Sequence, residues 1–161
     1  MRYLGIDPGT QWTGYAVLDC DGSELDRVTS GVFDLRKEGE LSRRLAVLHE
    51  KLTALAAEFE PCELAVEKVF FGLNAKSALA LGHGRGVILS VAGARRMPVF
   101  EYAPATVKKA VTGRGRATKD QVIKMVSYRL GGYASARDDE ADALAVAMCH
   151  SHRKTANGLI S

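Results

Sequence analysis

Hydrophobic and polar positions over the first third of the chain predict three strands joined by short turns. An apolar run from Met1 to Ile6 closes at Asp7-Pro8-Gly9, which is a turn sequence. The segment from Gly14 to Cys20 alternates apolar and small residues, and Asp21-Gly22 then supplies a hairpin turn. The segment from Leu25 to Phe33 has the character of a third strand. Connections this short indicate an antiparallel meander.

A regular spacing of leucines predicts the clearest helix of the chain. Apolar residues recur at intervals of four and three from Leu41 to Phe59, and Pro61 ends the pattern. The same spacing is compatible with a coiled coil, but fewer than three heptads that stop at a proline favour a helix packed on a core.

The remainder of the chain alternates strands with helices. We predict strands at 62–66 and 98–102 and helices at 75–95, 107–111, 119–130 and 140–150. The helix at 75–95 is interrupted by four glycines, which indicate close approach of another backbone: Gly82, Gly84, Gly86 and Gly93. This order of elements implies an α/β or α+β layered domain with one mixed sheet.

Length and composition indicate a single globular domain. The chain has 161 residues, of which 47% are apolar and 25% are charged, close to the average of folded proteins. We expect one domain over residues 1–151. The short tail over 152–161 lacks apolar periodicity and is expected to fray.

Cysteine usage and the N-terminal sequence favour a cytoplasmic location. Cys20, Cys62 and Cys149 are far apart and form no CxxC pair, so we expect buried thiols in a reducing compartment rather than disulfides or a zinc site. The chain reaches Asp7 before an apolar run develops, which argues against a signal peptide. No uninterrupted apolar stretch approaches the length of a membrane span, so we expect a soluble protein.

Charge is distributed unevenly along the chain. The formal net charge of +3 would not by itself identify a nucleic-acid binder. From Pro104 to Gly132, however, seven basic residues face one acidic residue, and from Arg137 to Asp142 one basic residue faces four acidic ones. A basic stretch therefore lies just before an acidic cluster.

Four carboxylates occupy positions where chemistry could use them. Asp7 ends the first predicted strand, Glu67 ends the strand at 62–66, and Asp139 and Asp142 share one face near the start of the last helix. Strand ends and a helix N-terminus can converge on one side of a sheet. Carboxylates brought together repel one another unless cations lie between them, and hard oxygen ligands suit Mg²⁺ or Mn²⁺. Two such ions would clamp the attacking water and the leaving oxygen of a phosphodiester.

Each of these residues has a plainer interpretation. Asp7 before Pro-Gly is typical of a turn, and Glu67 could be a solvated residue after a strand. Asp139 could be a helix N-cap, with Asp142 in the third helical position. His150 and His152 could suggest zinc, but two histidines without further ligands are more often surface residues. Spacing alone leaves these alternatives open.

Four stretches of the chain together resemble a known family. In order they are LGIDPGTQWTGYAV, AVEKVFFGLNAKSALALGHGRGVIL, PVFEYAPATVKKAVTGRGRATKDQV and DEADALAVAMCH. They are similar to the successive motifs of RuvC, the Holliday-junction resolving endonucleases of bacterial recombination and repair. The resemblance runs from Tyr3 to about His150. It implies an α/β, ribonuclease H-like fold, whose mixed central sheet has three antiparallel N-terminal strands, then parallel strands, with flanking helices.

The resemblance also implies roles for individual residues. The catalytic, metal-binding carboxylates of the family fall on Asp7, Glu67, Asp139 and Asp142, which would hold two Mg²⁺ or Mn²⁺ ions. Asp138 and Glu140 flank the last motif without matching its metal-binding positions. The residues expected to contact DNA phosphate near the site are Lys108 and Lys119, and Lys119 is also expected to stabilise charge during the reaction. The aromatic residue implicated at the junction centre falls on Phe70.

Partners follow from the same resemblance. It implies a homodimer formed through the glycine-interrupted helix after Asn74, a four-way DNA junction as substrate, and cooperation with the RuvA-RuvB branch-migration complex. A basic run is usually a solvated face, but its placement directly before the acidic pair favours DNA binding here. The expected contacts are Lys108, Lys109, Arg114, Arg116 and Lys119. Two departures are Lys68, where the family often has a neutral polar residue, and a short C-terminal extension.

Three other functions compete with this interpretation. The sequence DPGT followed by Thr13-Gly14 also resembles the phosphate-binding turn of actin-like sugar kinases and ATPases, but those folds need a second lobe. The YqgF family shares the fold and acts on ribosomal RNA precursors, although VEKVFF and the glycine-interrupted helix fit RuvC better. A catalytically inactive junction-binding module is the third, and the presence of all four carboxylates argues against it.

Overall fold

A five-stranded sheet organises the part of the chain that the structure describes. The computed structural model describes residues 1–68, 75–156 and 158. Its strands are β1 (Arg2–Asp7), β2 (Trp12–Asp21), β3 (Glu24–Asp34), β4 (Glu63–Glu67) and β5 (Val99–Tyr102), in the spatial order β3-β2-β1-β4-β5. The first three strands are antiparallel, whereas β4 pairs parallel with β1 and β5 pairs parallel with β4. The predicted mixed sheet and N-terminal meander are confirmed.

Helices cover both faces of this sheet. They are α1 (Leu41–Phe59), α2 (Ala75–Ala94), α3 (Pro104–Thr112), α4 (Lys119–Arg129) and α5 (Asp138–Ala156), with a short 3-10 helix at Arg36–Glu38. Because side chains alternate along a strand, Leu4 and Ile6 of β1 pack with α1 and α2 on one face. Tyr3 packs with α3, α4 and α5 on the other face. The core therefore has two layers, separated by the sheet.

Small residues let α5 lie unusually close to the centre of the sheet. A side-chain carbon added to Gly5 on β1 would overlap the carbonyl oxygen of Ala143, and it would lie 2.8 Å from the Cβ of Ala147. Both alanines are fully buried. Any larger residue at this contact would push α5 away from β1, so this helix and the end of β1 are held in a fixed relationship.

The end of α5 corrects the sequence prediction. The sequence predicts a helix that stops at His150 with fraying from His152 onward, but the helix continues to Ala156. Polar contacts anchor this last turn: Lys154 Nζ donates to Glu63 Oε1 at 2.7 Å, and Thr155 Oγ1 donates to the carbonyl oxygen of Gly22 at 3.0 Å. Apolar periodicity does not detect an anchor of this kind, because its contacts are made by polar side chains.

Two smaller expectations are corrected in part. Among the residues that the structure describes, Gly84 is the one glycine of α2 that meets another segment, since a Cβ there would lie 3.2 Å from the carbonyl oxygen of Gly9; no such neighbour lies within 4 Å of the other three. Cys20 and Cys149 are buried as predicted, whereas Cys62 is exposed because it precedes β4 at the rim of the sheet. Across the described residues, no helix is long and apolar enough to cross a membrane.

Candidate active site

Three of the four predicted carboxylates line one cleft at an edge of the sheet. Strands β1 and β4 are parallel, and Ile6 pairs with Val66, so Asp7 and Glu67 emerge side by side at the carboxyl ends of their strands. The cleft has a volume of about 250 Å³, and its lining includes Asp7, Glu67 and Asp142 together with Lys108 and Lys119. Pro104, Val107, Val122 and Ala145 complete it. The sequence prediction that strand ends and a helix start converge here is confirmed for these residues.

The start of α5 brings Asp139 and Asp142 to this edge. Asp7 at the end of β1 pairs with Gly14 on β2, and Gly14 contacts the backbone of Asp139 so closely that a Cβ would overlap its carbonyl oxygen. The helix begins at Asp138, so Asp139 lies within the first turn and is not the N-cap. The close contact at Gly14 therefore sets how far the first turn of α5 lies from Asp7.

Glu140 anchors the start of α5 beside the site, a role that the sequence did not predict. Its side chain is only 2% exposed and accepts three hydrogen bonds. Oε1 accepts from Ser30 Oγ at 2.6 Å and from Tyr133 Oη at 2.7 Å, and Oε2 accepts from the backbone N–H of Ala136 at 2.8 Å. Burial by itself would raise the pKa of Glu140, but these donors outweigh burial and lower it. Glu140 thus ties the first turn of α5 to β3 and to the preceding loop.

Burial and mutual repulsion raise the pKa of two of the carboxylates, Asp7 and Glu67. Burial raises the pKa of Asp7 to about 7, and the negative charges of Asp142, Asp139 and Glu67 add to the effect. Burial also raises the pKa of Glu67, helped by Asp142 and opposed by Lys108 and Lys119. The site therefore holds more negative charge than its own lysines neutralise.

Two basic side chains hold the carboxylates of α5. Lys119 Nζ lies 3.1 Å from Asp142 Oδ2 and 3.2 Å from Asp138 Oδ2. Burial would lower the pKa of Lys119, but the hydrogen bonds and negative charges of Asp142 and Asp138 together outweigh burial, so the pKa is raised. Arg137 contacts Asp139 Oδ2 through Nη2 at 3.1 Å and through Nε at 3.2 Å.

The donor set fits hard divalent cations once these ion pairs open. Among the described residues, no three potential ligands already surround one point as they would around an ion. Asp139 and Asp142 are instead turned towards Arg137 and Lys119. All four acidic groups supply oxygen, and Mg²⁺ or Mn²⁺ would offset the carboxylate charges that, after burial, add to the raised pKa of Asp7.

The predicted DNA-contacting residues are spread more widely than the carboxylates. Lys108 and Lys119 line the cleft, whereas Lys109 and Arg116 are exposed and are not part of its lining. Arg114 borders a neighbouring cavity of about 370 Å³ between the end of α3 and α4. Phe70 lies outside the residues that the structure describes.

The two C-terminal histidines have separate partners. His150 is fully buried, with Nε2 2.7 Å from Glu63 Oε2 and Nδ1 2.7 Å from the Tyr102 hydroxyl. His152 instead hydrogen-bonds Arg129. Burial lowers the pKa of both rings. The expectation of surface histidines is wrong for His150, which belongs to a buried polar network joining α5 to β4 and β5.

Comparison with known proteins identifies the family. The model of the family described as crossover junction endodeoxyribonuclease RuvC matches residues 3–150. The chain belongs to the RuvC family. This places it among hydrolytic nucleases and confirms both the resemblance drawn from the four motifs and the enzyme class that it implied.

Curated RuvC relatives match along nearly the whole chain. The crossover junction endodeoxyribonuclease RuvC of Paramagnetospirillum magneticum is 45% identical over 154 residues, covering 96% of this chain and 93% of the relative. The corresponding protein of Syntrophotalea carbinolica is 43% identical over 161 residues, covering all of both chains.

Solved RuvC structures share the fold. Thermus thermophilus RuvC, determined in complex with a Holliday junction substrate, superposes with a TM-score of 0.92 at 30% identity, covering 98% of this chain and 96% of that one. The yeast mitochondrial Holliday junction resolvase Ydc2 superposes with a TM-score of 0.69 at 14% identity, which shows the fold alone. The ribonuclease H-like fold expected for a RuvC protein is confirmed.

Proposed function

We propose that this protein resolves four-way DNA junctions by hydrolysing one phosphodiester bond on each of two strands. The observation that carries the proposal is the cleft in which Asp7, Glu67 and Asp142 lie with Lys108 and Lys119. A backbone phosphate placed there would meet both lysines, and the carboxylates lie where ions could be held at its oxygens. The Thermus relative with a junction substrate supports the choice of DNA structure.

Asp7, Glu67, Asp139 and Asp142 would hold two Mg²⁺ or Mn²⁺ ions. When bound, the ions would lower the pKa of the attacking water and stabilise the leaving 3′ oxygen. Ions at this site would compete with Arg137 for Asp139 and with Lys119 for Asp142, because both carboxylates are paired with these residues through Oδ2. The same ions would relieve the repulsion that adds to burial in raising the pKa of Asp7.

Lys119 lines the cleft where it could stabilise negative charge that develops during the reaction. Its pKa is raised by Asp142 and Asp138 against the effect of burial, so it stays protonated at neutral pH. Once Asp142 turns away, the ammonium group faces the cleft with a hydrogen-bond donor free for a phosphate oxygen, where negative charge grows in the transition state. Lys108 lines the same cleft and would bind the phosphate backbone. The products would carry a 5′ phosphate and a 3′ hydroxyl, which a ligase can seal.

Symmetric cutting of a four-way junction favours a homodimer. Helix α2 exposes two leucines, Leu79 with 64% and Leu89 with 38% of its surface accessible. These apolar side chains support α2 as the dimer contact.

Two further expectations remain predictions from the sequence. One is cooperation with a RuvA-RuvB complex, and the other is a single nuclease domain over residues 1–151.

Cleavage of a labelled four-way junction tests the proposed function. The junction would be incubated with Mg²⁺ or Mn²⁺ beside a linear duplex of equal length and an RNA control. We expect paired nicks confined to the junction and lost on addition of EDTA. Cutting of RNA alone would contradict the proposal in favour of a YqgF-like activity, and binding without nicks across several junction sequences would indicate an inactive module.

Asp7→Asn is the matched active-site variant for this assay. It removes one ionic ligand while keeping the size of the side chain, so we expect cleavage to be lost and junction binding to be retained. Normal cleavage by Asp7→Asn would show that the carboxylate site is wrongly assigned.

Light scattering of wild type and Leu79→Glu would test the dimer, which the charged variant should weaken.

A further inference from the structure

Trp12 and Arg137 form a stacked pair beside the carboxylates. The guanidinium carbon of Arg137 lies 3.8 Å from the centre of the Trp12 ring. The same guanidinium donates through Nε and Nη2 to Asp139 Oδ2. Arg137 therefore contacts an indole and a predicted metal ligand at once, and its side chain remains 43% exposed.

A second arginine fixes the position of the indole. Trp12 begins β2 and pairs in the ladder with Asp34, the last residue of β3. Asp34 accepts hydrogen bonds from both Nε and Nη2 of Arg36 at 3.1 Å. The guanidinium carbon of Arg36 in turn lies 3.9 Å from the centre of the Trp12 ring. The indole is thus braced by Arg36, so it offers Arg137 a fixed surface on which to stack.

This pair lies on the side of Asp7 away from Lys108. In the sheet, β2 and β4 flank β1 on opposite sides. Trp12 lies on β2, on one side of Asp7. Lys108 lies on α3, which follows β5 in the chain, and β5 lies on the other side of Asp7, next to β4. Lys108 thus lies on one side of the carboxylates and Arg137 on the other, while Lys119 contacts Asp138 and Asp142 on α5.

The two partners of Arg137 contact different parts of its guanidinium group. Asp139 uses its N–H donors, whereas Trp12 contacts the face of the guanidinium and leaves those donors free. A cation at Asp139 would compete with Arg137 for this carboxylate, and a guanidinium displaced from Oδ2 would still be held in place by the stack on Trp12. A planar guanidinium with free N–H groups is well suited to a phosphate, which it can contact with two hydrogen bonds.

We propose that Arg137, positioned by Trp12, binds a phosphate of the DNA backbone on the β2 side of the active site. In the free protein Arg137 neutralises Asp139, and binding of the cations transfers it from Asp139 to the DNA. This inference rests on the proposed junction-resolving function. It predicts opposite effects of removing Arg137: metal ions should bind more tightly to the free protein, and the junction should bind more weakly.

Arg137→Gln tests both effects, with Arg43→Gln as the matched control. Arg43 is an exposed arginine of α1 that lies 4.0 Å from Glu38, so its loss changes the net charge equally at another place. Junction binding would be measured with Ca²⁺ in place of Mg²⁺, on strands shown to be intact by denaturing gel. We expect Arg137→Gln to bind roughly tenfold more weakly. We also expect it to reduce the slope of log K against log salt by about 0.9, the loss of one phosphate contact.

Mn²⁺ titration of the DNA-free protein supplies a readout independent of cleavage. Arg137→Gln should bind Mn²⁺ several-fold more tightly than wild type, because Asp139 no longer has a competing partner. Trp12→Leu keeps the ion pair but loses the stack, so its Mn²⁺ affinity should match wild type while its junction affinity falls. Thermal unfolding of each variant confirms that it is folded at the assay temperature.

Three results would each overturn the inference while leaving the proposed function intact, two of them from junction binding. One is wild-type junction affinity and salt slope in Arg137→Gln, and the other is an equal loss in Arg43→Gln, which would reveal a general effect of net charge. Unchanged or weaker Mn²⁺ binding by Arg137→Gln would also overturn it. Wild-type protein that does not distinguish a junction from duplex would instead overturn the proposed function and this inference together.

Discussion

Gly14 on β2 lies directly against the backbone of Asp139 on α5, with no room for a side chain between them. Gly14 is also the ladder partner of Asp7. Gly14 therefore lies next to both Asp7, at the end of β1, and the helical turn that carries Asp139. Because Gly14 has no Cβ, α5 can approach the sheet closely, and this approach sets the distance between the two carboxylates.

Gly14→Ala is expected to damage both the fold and the site. The new Cβ would overlap the carbonyl oxygen of Asp139, so α5 must move away from the sheet. Overpacking of this kind costs about 1–3 kcal/mol, so the unfolding free energy should fall by that amount. Denaturant unfolding and junction cleavage would be measured together. Gly93→Ala, which faces open space in α2, is the control and should keep wild-type stability or exceed it.

Glu140→Gln should weaken the anchor of the first turn of α5. A Gln side chain places an NH₂ group where one carboxylate oxygen now accepts, so at least one of the three donors loses its partner. We expect the unfolding free energy to fall by about 1–3 kcal/mol, and cleavage to fall with it. Tyr133→Phe removes a single donor and should have a smaller effect. A Glu140→Gln protein with wild-type stability would contradict the anchoring role.

Lys119→Gln should slow cleavage more than it weakens junction binding. Loss of an electrostatic contact that strengthens in the transition state typically lowers the rate roughly 100-fold or more. Lys119 also lowers the pKa of Asp7, so its removal should move the acidic limb of the rate profile to higher pH. Lys124→Gln, on the same helix but outside the carboxylate cleft, is the control. Equal rates for the two variants would argue against a role for Lys119 in catalysis.

Asp7→Asn should stabilise the metal-free protein at alkaline pH. Because the pKa of Asp7 is raised from 3.8 to about 7 in the folded state, its contribution to stability is present below pH 3.8 and is lost as the pH rises through 7. In EDTA at pH 8 we expect Asp7→Asn to be more stable than wild type by about 1–4 kcal/mol. At pH 4 the two should nearly coincide. Asp26→Asn, on an exposed part of β3, should show no such difference between the two pH values.

Local pattern was sufficient to predict the order of the elements and much of the site. An apolar run closed by a turn located β1, alternation of apolar and small residues located β2, and the three- and four-residue spacing located α1. The alternation and the helical spacing arise because burial on one face imposes these periods on the sequence. Asp7 and Glu67 could be placed together because parallel strands end at the same edge of a sheet. The four sequence motifs were also sufficient to identify the family.

Partners distant along the chain were decided only by the tertiary structure. Glu140 and Ser30 are 110 residues apart, and their contact depends on the rotation of α5 over β3. The stack of Arg137 on Trp12 likewise depends on where the start of α5 meets β2. Such contacts leave no periodic signal, because a polar side chain that finds a buried partner has the same sequence pattern as one that points into water. The sequence by itself therefore determined the elements and the carboxylates at their ends. Packing decided which charges those carboxylates meet.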